Sequence, residues 1–309
     1  MQPSVFIDGE AGTTGLQIRS RLEARRDITV LSIAPEKRKD ESERRRLLNE
    51  ADVAILCLPD AAARQAAELV TSSKTVILDA SSAHRTDPNW VYGFPEMAPG
   101  QKDLIRQSKR ISNPGCYPTG FIALMRPLVE AGLVPRDFPV TVHAVSGFTG
   151  GGRAMIEAFE TGGEGYRAYG LAQTHKHAPE MRAYSGLTHA PMFMPSVAHF
   201  AQGMLVEVPL PLWSLPGTPS PGAIGEAWQA AYDGAQFISV HVPPDVDHIS
   251  TVEPEACNGT NRMDLFLFGS GEQARLIARL DNLGKGAAGA AVQNLNLILG
   301  ADEGASLSA

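Results

Sequence analysis

What most restricts the fold of this chain is an alternation near its start, in which short unbroken apolar runs are separated by stretches of helical pattern. Val5-Phe6-Ile7 ends in Asp8-Gly9, and Ile28-Thr29-Val30-Leu31, Val53-Ala54-Ile55-Leu56-Cys57-Leu58 and Thr75-Val76-Ile77-Leu78-Asp79 follow it. Between them, Thr14 to Arg26 carries Leu16, Ile18 and Leu22 among charges, and Ala61 to Val70 is rich in alanine. A strand that is apolar at every position must be covered on both faces. Strands alternating with helices achieve this as a parallel sheet flanked by helices. The expected class is α/β, with a Rossmann-type parallel sheet in the first part of the chain.

After Asn113 the pattern changes. Thr141 to Ser146 alternates in places, and Met204 to Val208 and Met263 to Phe268 read as longer strands of a mixed sheet in an α+β domain. Thr161 to Gly170 and the proline-rich Pro209 to Pro221 read as loops, and Ala287 to Leu299 as a closing apolar helix. A length of 309 residues suits two domains at ~150 residues each. The expected division is 1–116 with 283–309, and 117–282.

A formal net charge of -7 argues against a nucleic-acid partner, because a phosphate backbone calls for clustered Lys and Arg. No run approaches the ~18 apolar residues of a membrane helix, and the first residues do not read as a signal peptide. The 3 cysteines, Cys57, Cys116 and Cys257, are too few and scattered for a disulfide framework or a zinc site. A reducing cytoplasm is the expected compartment.

Gly9-Glu10-Ala11-Gly12-Thr13-Thr14-Gly15 lies between a predicted strand and a predicted helix. Glycines there permit a tight turn and close approach to a pyrophosphate, which the helix N-terminus favours electrostatically. The alternative is a plain glycine turn. The second strand runs into Ser32, with Lys37-Arg38-Lys39 beyond, where an NAD site usually places an acid on the ribose. A hydroxyl with nearby cations suits a 2′-phosphate, so NADP is expected over NAD; a solvated charged helix start is the competing reading.

Asn113-Pro114-Gly115-Cys116-Tyr117 places a cysteine at a strand-to-helix elbow, where the helix N-terminus favours thiolate. Asn113 is a candidate donor to an oxyanion. Most lone cysteines merely fill space, and that reading is kept for Cys57 and Cys257. In Thr174-His175-Lys176-His177-Ala178-Pro179-Glu180, the histidines supply groups that titrate near neutrality; on a strand they would face the same side. A metal site is not expected, since no Cys or acidic cluster joins them at ligand spacing. Ser146-Gly147-Phe148-Thr149-Gly150-Gly151-Gly152-Arg153 offers backbone N–H groups and a bidentate cation for an anion. Asp79-Ala80-Ser81-Ser82-Ala83-His84-Arg85 stands at the carboxyl end of a predicted strand, where Ser82 and Arg85 could bind phosphate or simply form a helix cap. In Asp281 to Asn294, small residues allow close packing, and Asn282 is a candidate for the nicotinamide amide.

Taken together, Phe6 to Gly15, Asn113 to Thr119, His175 to Glu180 and Asn282 to Asn296 resemble the N-acetyl-gamma-glutamyl-phosphate reductases of the shorter form. That family is grouped with aspartate-semialdehyde dehydrogenase and is similar in chemistry to glyceraldehyde-phosphate dehydrogenase. The resemblance covers essentially the whole chain. Where the longer enzymes have Ser-Ala-Asp-Phe-Arg, this chain has Ser81-Ser82-Ala83-His84-Arg85, so Arg85 aligns and His84 replaces an aromatic. The resemblance implies NADPH-dependent reduction of an acyl phosphate in arginine biosynthesis by a homo-oligomer, dimer or tetramer. It implies a dinucleotide-binding first domain and a substrate-binding, oligomer-forming second one. It makes Cys116 the nucleophile and favours His175 as acid/base, although the sequence alone does not choose between the two histidines. Asn113, Arg153, His177, Ser82 and Arg85 become substrate candidates; Gly9, Gly12, Thr13, Thr14, Gly15, Ser32, Arg38 and Asn282 become cofactor candidates. The competing readings are aspartate-semialdehyde dehydrogenase and a nucleotide-sensing protein without catalysis.

Overall fold

Three of the apolar runs form interior strands, and the run at 28–31 an edge strand, of a six-stranded parallel sheet in the computed structural model, which describes residues 2–162 and 165–309. Its strands are β1 (Ser4–Asp8), β2 (Thr29–Leu31), β3 (Val53–Leu56), β4 (Val76–Asp79), β5 (Val91–Tyr92) and β6 (Arg110–Ser112), in the order β2-β1-β3-β4-β6-β5. Both faces are apolar, as the unbroken runs require. Val5, Ile7, Ile55 and Leu78 face one core, while Phe6, Ala54, Leu56 and Ile77 face another. The helices α1 (Thr13–Leu22), α2 (Glu41–Glu50), α3 (Asp60–Leu69) and α4 (Gln101–Gln107) belong to the same unit.

The chain divides into two units. One is Met1–Pro95, Pro99–Pro114 and Ala287–Ser308; the other is Glu96–Ala98 and Gly115–Gly286, together with Ala309. Cys116, placed by the sequence reading at the end of the first domain, therefore falls in the second. The reason is that it opens the helix α5 (Cys116–Glu130), which packs within the second unit.

That unit is built on a seven-stranded mixed sheet. Its strands are β7 (Thr141–Gly147), β8 (Tyr166–Ala168), β9 (Met192–Ala198), β10 (Met204–Pro211), β11 (Ile238–His241), β12 (Met263–Gly269) and β13 (Gln273–Leu280), in the order β11-β12-β13-β10-β7-β9-β8. With α5 go α6 (Arg153–Glu160), α7 (Ala178–Ser185) and α8 (Pro221–Tyr232). After a five-residue π turn (Gly284–Ala288) the chain returns to the first unit as α9 (Gly289–Leu299), whose Val292 and Leu295 join Val5 and Ile55. Among the described residues no helix is long and apolar enough to cross a membrane.

Two expected loops are corrected. Thr161 to Gly170 contains β8, with Gly163 and Glu164 outside the described residues. The segment from Pro209 begins as the end of β10. β7 pairs with β10 only as far as Glu207, leaving one edge of β10 open beyond it. The Leu212 N–H points to Glu272 on the other side, so the missing N–H groups of Pro209 and Pro211 fall on the open edge, where no ladder bond is lost.

Proline also shapes α5. Pro127 within it cannot donate to Ala123. The Tyr232 hydroxyl of α8 donates to that carbonyl at 2.8 Å, and the Trp228 indole donates to Leu124 at 2.9 Å. The helix that presents Cys116 is thereby fixed along its length rather than by its first turn alone.

Candidate active site

In the first unit the glycine segment forms a turn that only glycine can make at two positions. Gly9 has φ +92°, and a Cβ there would lie 2.3 Å from the Cys57 carbonyl oxygen. A Cβ at Gly15 would lie 2.4 Å from the Gly9 oxygen and 2.8 Å from Glu10 Cα. Gly12 is the cap of α1, and its own N–H donates to Gly9 at 3.0 Å. Thr13 and Thr14 open the helix, where backbone N–H groups have no partner within the helix and favour an anion. The residues present thus fit a dinucleotide pyrophosphate: backbone lies where a side chain would otherwise stand, and donors face outward from a helix start.

Beyond β2, Ser32 is exposed, and its hydroxyl accepts from Arg19 at 3.0 Å. Arg19 and Arg38 both donate to the Glu10 carboxylate, at 2.5 and 3.1 Å. Ser32 and Arg38 are thus brought together, with Arg19 joining them. Arg19 was not singled out by the sequence reading; it is one arginine among several on an amphipathic helix, without a local signal.

Ser82, Arg85 and Asn113 are internal braces of the first unit. Ser82 donates to the Asp60 carboxylate at the start of α3 through its N–H, at 3.0 Å, and through its hydroxyl, at 2.9 and 2.7 Å. Arg85 is buried and donates to the Asn113 carbonyl at 2.9 Å. Asn113 itself is 1% exposed; its amide donates to Ala287 at 3.0 Å and accepts from Asn294 at 3.1 Å. Asp79 is fully buried and accepts from Ser81 and from His84 Nδ1, and the His84 ring stacks on Trp90.

In the second unit Cys116 is the first residue of a 15-residue helix capped by Gly115, and it is half-buried. A thiolate is favoured at such a position. The other two cysteines are held as thiols. Burial, with the charges of Asp79 and Asp8, pushes the Cys57 thiol far up; burial and Asp264 push that of Cys257 up.

The histidine segment is a turn, not a strand, because His177 takes helical backbone angles as the cap of α7. The two rings meet nonetheless, with centroids 4.7 Å apart. The His177 N–H donates to His175 Nδ1 at 3.1 Å, which leaves the proton of the neutral His175 ring on Nε2. Burial and the adjacent Lys176 charge lower the His175 pKa. Tyr117, next to the cysteine, presents its ring edge to His175 at 6.3 Å and lies 5.9 Å from His177. Its hydroxyl donates to the Ser196 carbonyl at 3.1 Å and accepts from Tyr169 at 3.0 Å. Burial and a negative charge on Cys116 raise the Tyr169 phenol to about 12, so both tyrosines are neutral walls of the histidine site. Among the described residues no group of three or more His, Cys, Asp and Glu is placed to hold a metal ion.

The segment Ser146 to Arg153 does not offer the row of open N–H groups expected of it. Those of Gly147, Phe148 and Thr149 donate to Gly203, Phe200 and Ala201, because the strand runs straight into a turn laid on that loop. Arg153 is exposed at the first position of α6. Asn282 braces this turn: its oxygen accepts from Gly203 at 2.7 Å and its nitrogen donates to Thr149 at 3.0 Å. Close by in sequence, Gly286 packs on Cys116, and a Cβ there would lie 2.8 Å from Cys116 Cβ.

Residues 4–105 match the family model described as semialdehyde dehydrogenase, NAD binding domain, and residues 116–282 the one described as semialdehyde dehydrogenase, dimerisation domain. The chain is 52% identical over 316 aligned residues to N-acetyl-gamma-glutamyl-phosphate reductase 2 of Nostoc sp., covering 98% of each chain. It is 50% identical to N-acetyl-gamma-glutamyl-phosphate reductase of Burkholderia cenocepacia, covering 97% of this chain and 98% of that one. Among solved structures it is similar to aspartate semialdehyde dehydrogenase II of Vibrio cholerae, with TM-score 0.70, 14% identity and coverage of 97% and 98%. The enzyme of Candida albicans with NADP gives TM-score 0.64 and 15% identity, covering 97% and 99%. At that identity the solved structures share the fold and nothing finer.

Proposed function

The chain belongs to the N-acetyl-gamma-glutamyl-phosphate reductase family, and we infer from that membership that it reduces N-acetyl-gamma-glutamyl phosphate to N-acetylglutamate semialdehyde with NADPH, in arginine biosynthesis. The observation that carries this reading is the 52% identity across 98% of both chains. The placement of Cys116 at a helix start, with a histidine pair packed against the following residue, supports the mechanism.

In that mechanism the Cys116 thiolate attacks the γ-carbonyl carbon and forms a C–S bond. The carbonyl electron pair moves to oxygen, then returns as the C–O bond to phosphate breaks, leaving inorganic phosphate and a thioester. NADPH, when bound, supplies the hydride that reduces the thioester carbon. The C–S bond then breaks and returns the electron pair to Cys116. His175 offers Nε2–H to the oxyanion at both stages, as a neutral donor whose Nδ1 is held by the His177 N–H. We assign Arg153 and His177 to the substrate's anionic groups. Asn113, Ser82, Arg85 and Asn282 act as braces, on the bonds described above.

Gly9, Gly12, Thr13, Thr14 and Gly15 would hold the pyrophosphate, and Ser32, Arg19 and Arg38 the 2′-phosphate. Replacing Arg19 or Arg38 by alanine is expected to weaken NADPH binding about tenfold or more while leaving NADH affinity unchanged, because a charge-assisted bond to phosphate is lost. Fluorescence titration with each nucleotide checks this without turnover; equal losses for both nucleotides would place the 2′-phosphate elsewhere.

The lowered His175 pKa also sets a pH dependence. The neutral ring persists above its pKa, so the form whose Nδ1 accepts the His177 N–H survives to lower pH than a free imidazole of ~6.5 would allow, and protonation of Nδ1 breaks that bond. The acid limb of kcat/KM that disappears in His175→Ala is expected below that value, and a limb above it would speak against this role.

We place the enzyme in the cytoplasm, on its scattered thiols. We also propose a homo-oligomer, supported by Met192 and Met194, which stand 58% and 48% exposed on β9. Phosphate-dependent oxidation of N-acetylglutamate semialdehyde by NADP, run beside aspartate semialdehyde, tests the functional reading. Faster turnover of the latter would favour the aspartate enzyme's reaction instead.

A further inference from the structure

We propose that Glu180 is a positioning residue, whose carboxylate fixes the Cys116 elbow against the turn that carries His175 and His177. The inference rests on the reading of Cys116 as nucleophile. Glu180 closes the histidine motif in the sequence, and the proposed mechanism gives it no task.

Glu180 lies in the first turn of α7 and is 1% exposed. Its Oε1 accepts the backbone N–H of Gly115 at 2.7 Å, a buried contact bridging 65 residues of sequence. Gly115 is the cap of α5, and it has no side chain with which to cap the helix it begins. Its carbonyl is also held, accepting from the Thr119 N–H at 3.0 Å and the Thr119 hydroxyl at 2.8 Å. The peptide groups before the nucleophile are therefore gripped on one side by α5 and on the other by α7.

The grip extends to the histidines. The Ala178 N–H donates to His175 at 3.0 Å and the Met181 N–H to His177 at 2.9 Å, so the turn and α7 move as one piece. A carboxylate three residues beyond His177 that holds the residue before Cys116 thereby sets the separation of thiol and imidazole. Burying a carboxylate is unfavourable unless it gains such bonds, and the first turn of a helix is a favourable place for it. A hydrophobic residue would fill the same space without making this connection.

The test is a pair of conservative variants in the full-length enzyme. Glu180→Gln keeps the length and an accepting oxygen but removes the charge; Glu180→Asp keeps the charge but withdraws the oxygen by one methylene. Positioning predicts that kcat falls roughly 100-fold in Glu180→Asp and stays within about fivefold of wild type in Glu180→Gln, with KM for both substrates changed by less than about threefold. A role through charge predicts the opposite order, and a purely structural role predicts wild-type kcat per folded molecule in both; either result overturns the proposal. The rate of Cys116 alkylation by iodoacetamide needs no substrate. It should depart from wild type by at least about threefold in Glu180→Asp. A wild-type enzyme that reduces no acyl phosphate would fault the functional reading, while an unchanged alkylation rate in Glu180→Asp would fault the positioning.

Discussion

Replacing Cys116 by serine is expected to lower turnover by at least ~1,000-fold while NADPH binding remains within about twofold of wild type. The loss corresponds to about 4 kcal/mol of transition-state stabilisation. A serine hydroxyl is overwhelmingly protonated near neutral pH, and a helix N-terminus that suffices for thiolate does not ionise it. Burial keeps the other two cysteines, Cys57 and Cys257, as thiols. The substitution is nearly isosteric at a half-buried position, so the fold is expected to persist. Steady-state rates with nucleotide titration on the same preparation check both halves. Turnover within tenfold of wild type would remove the sulfur from the reaction.

The second large effect is expected at Gly286, for a reason of space alone. An added methyl group would stand 2.8 Å from Cys116 Cβ, 3.3 Å from its Cα and 3.1 Å from the Asp281 carbonyl oxygen. Backbone atoms cannot rotate out of the way as the end of a long side chain can. The π turn is itself anchored: the Gly286 N–H donates to Asp281 at 2.9 Å, and the Asp281 carboxylate accepts from Leu283, Gln202 and Gly259. Lys285 is held too, with both oxygens of buried Glu96 within 2.8 Å. The cysteine is therefore the part expected to yield. Gly286→Ala should reduce kcat about 100-fold or more with little change in nucleotide affinity, at a cost of about 1–3 kcal/mol in stability typical of overpacking. Equal kcat in a folded Gly286→Ala protein would show that the sulfur does not depend on this contact.

The parallel sheet was legible because it is buried on both faces. Val5, Ile7, Phe6, Ala54, Ile55 and Leu56 all lie in a core, and unbroken apolar runs record that directly. The second sheet was harder to read. β13 carries Arg275 and Arg279 between buried residues, and Arg275 and Arg279 are also spaced like one face of a helix. β9 holds Pro195 and exposes Met192 and Met194, which blurs the strand signal. The prolines of β10 argued for a loop, and only the pairing partners reveal that their edge is open.

Within the candidate site, residue type and local order were legible and connections were not. The elbow cysteine, the glycine turn and the histidine pair stand out by residue type and local order. The bonds of Asn113 to Ala287 and of Glu180 to Gly115 join segments far apart in sequence, and no local pattern announces them. The glycine segment at Gly147 shows the opposite error. Glycines there permit close approach of backbone to the loop at Ala201, and its expected N–H donors are taken by that loop. Flexibility of residue type is evidence of closeness to something, and the sequence does not say to what.

Whether acyl transfer to Cys116 precedes reduction is decided by rapid quenching of the enzyme with N-acetyl-gamma-glutamyl phosphate in the absence of NADPH, followed by intact-mass and peptide analysis. Release of one phosphate per active site is expected, with an N-acetylglutamyl adduct on the peptide carrying Cys116 that is discharged as semialdehyde when NADPH is added. Formation of semialdehyde at the normal rate from an enzyme that never carries acyl mass on that sulfur would contradict acyl transfer to Cys116.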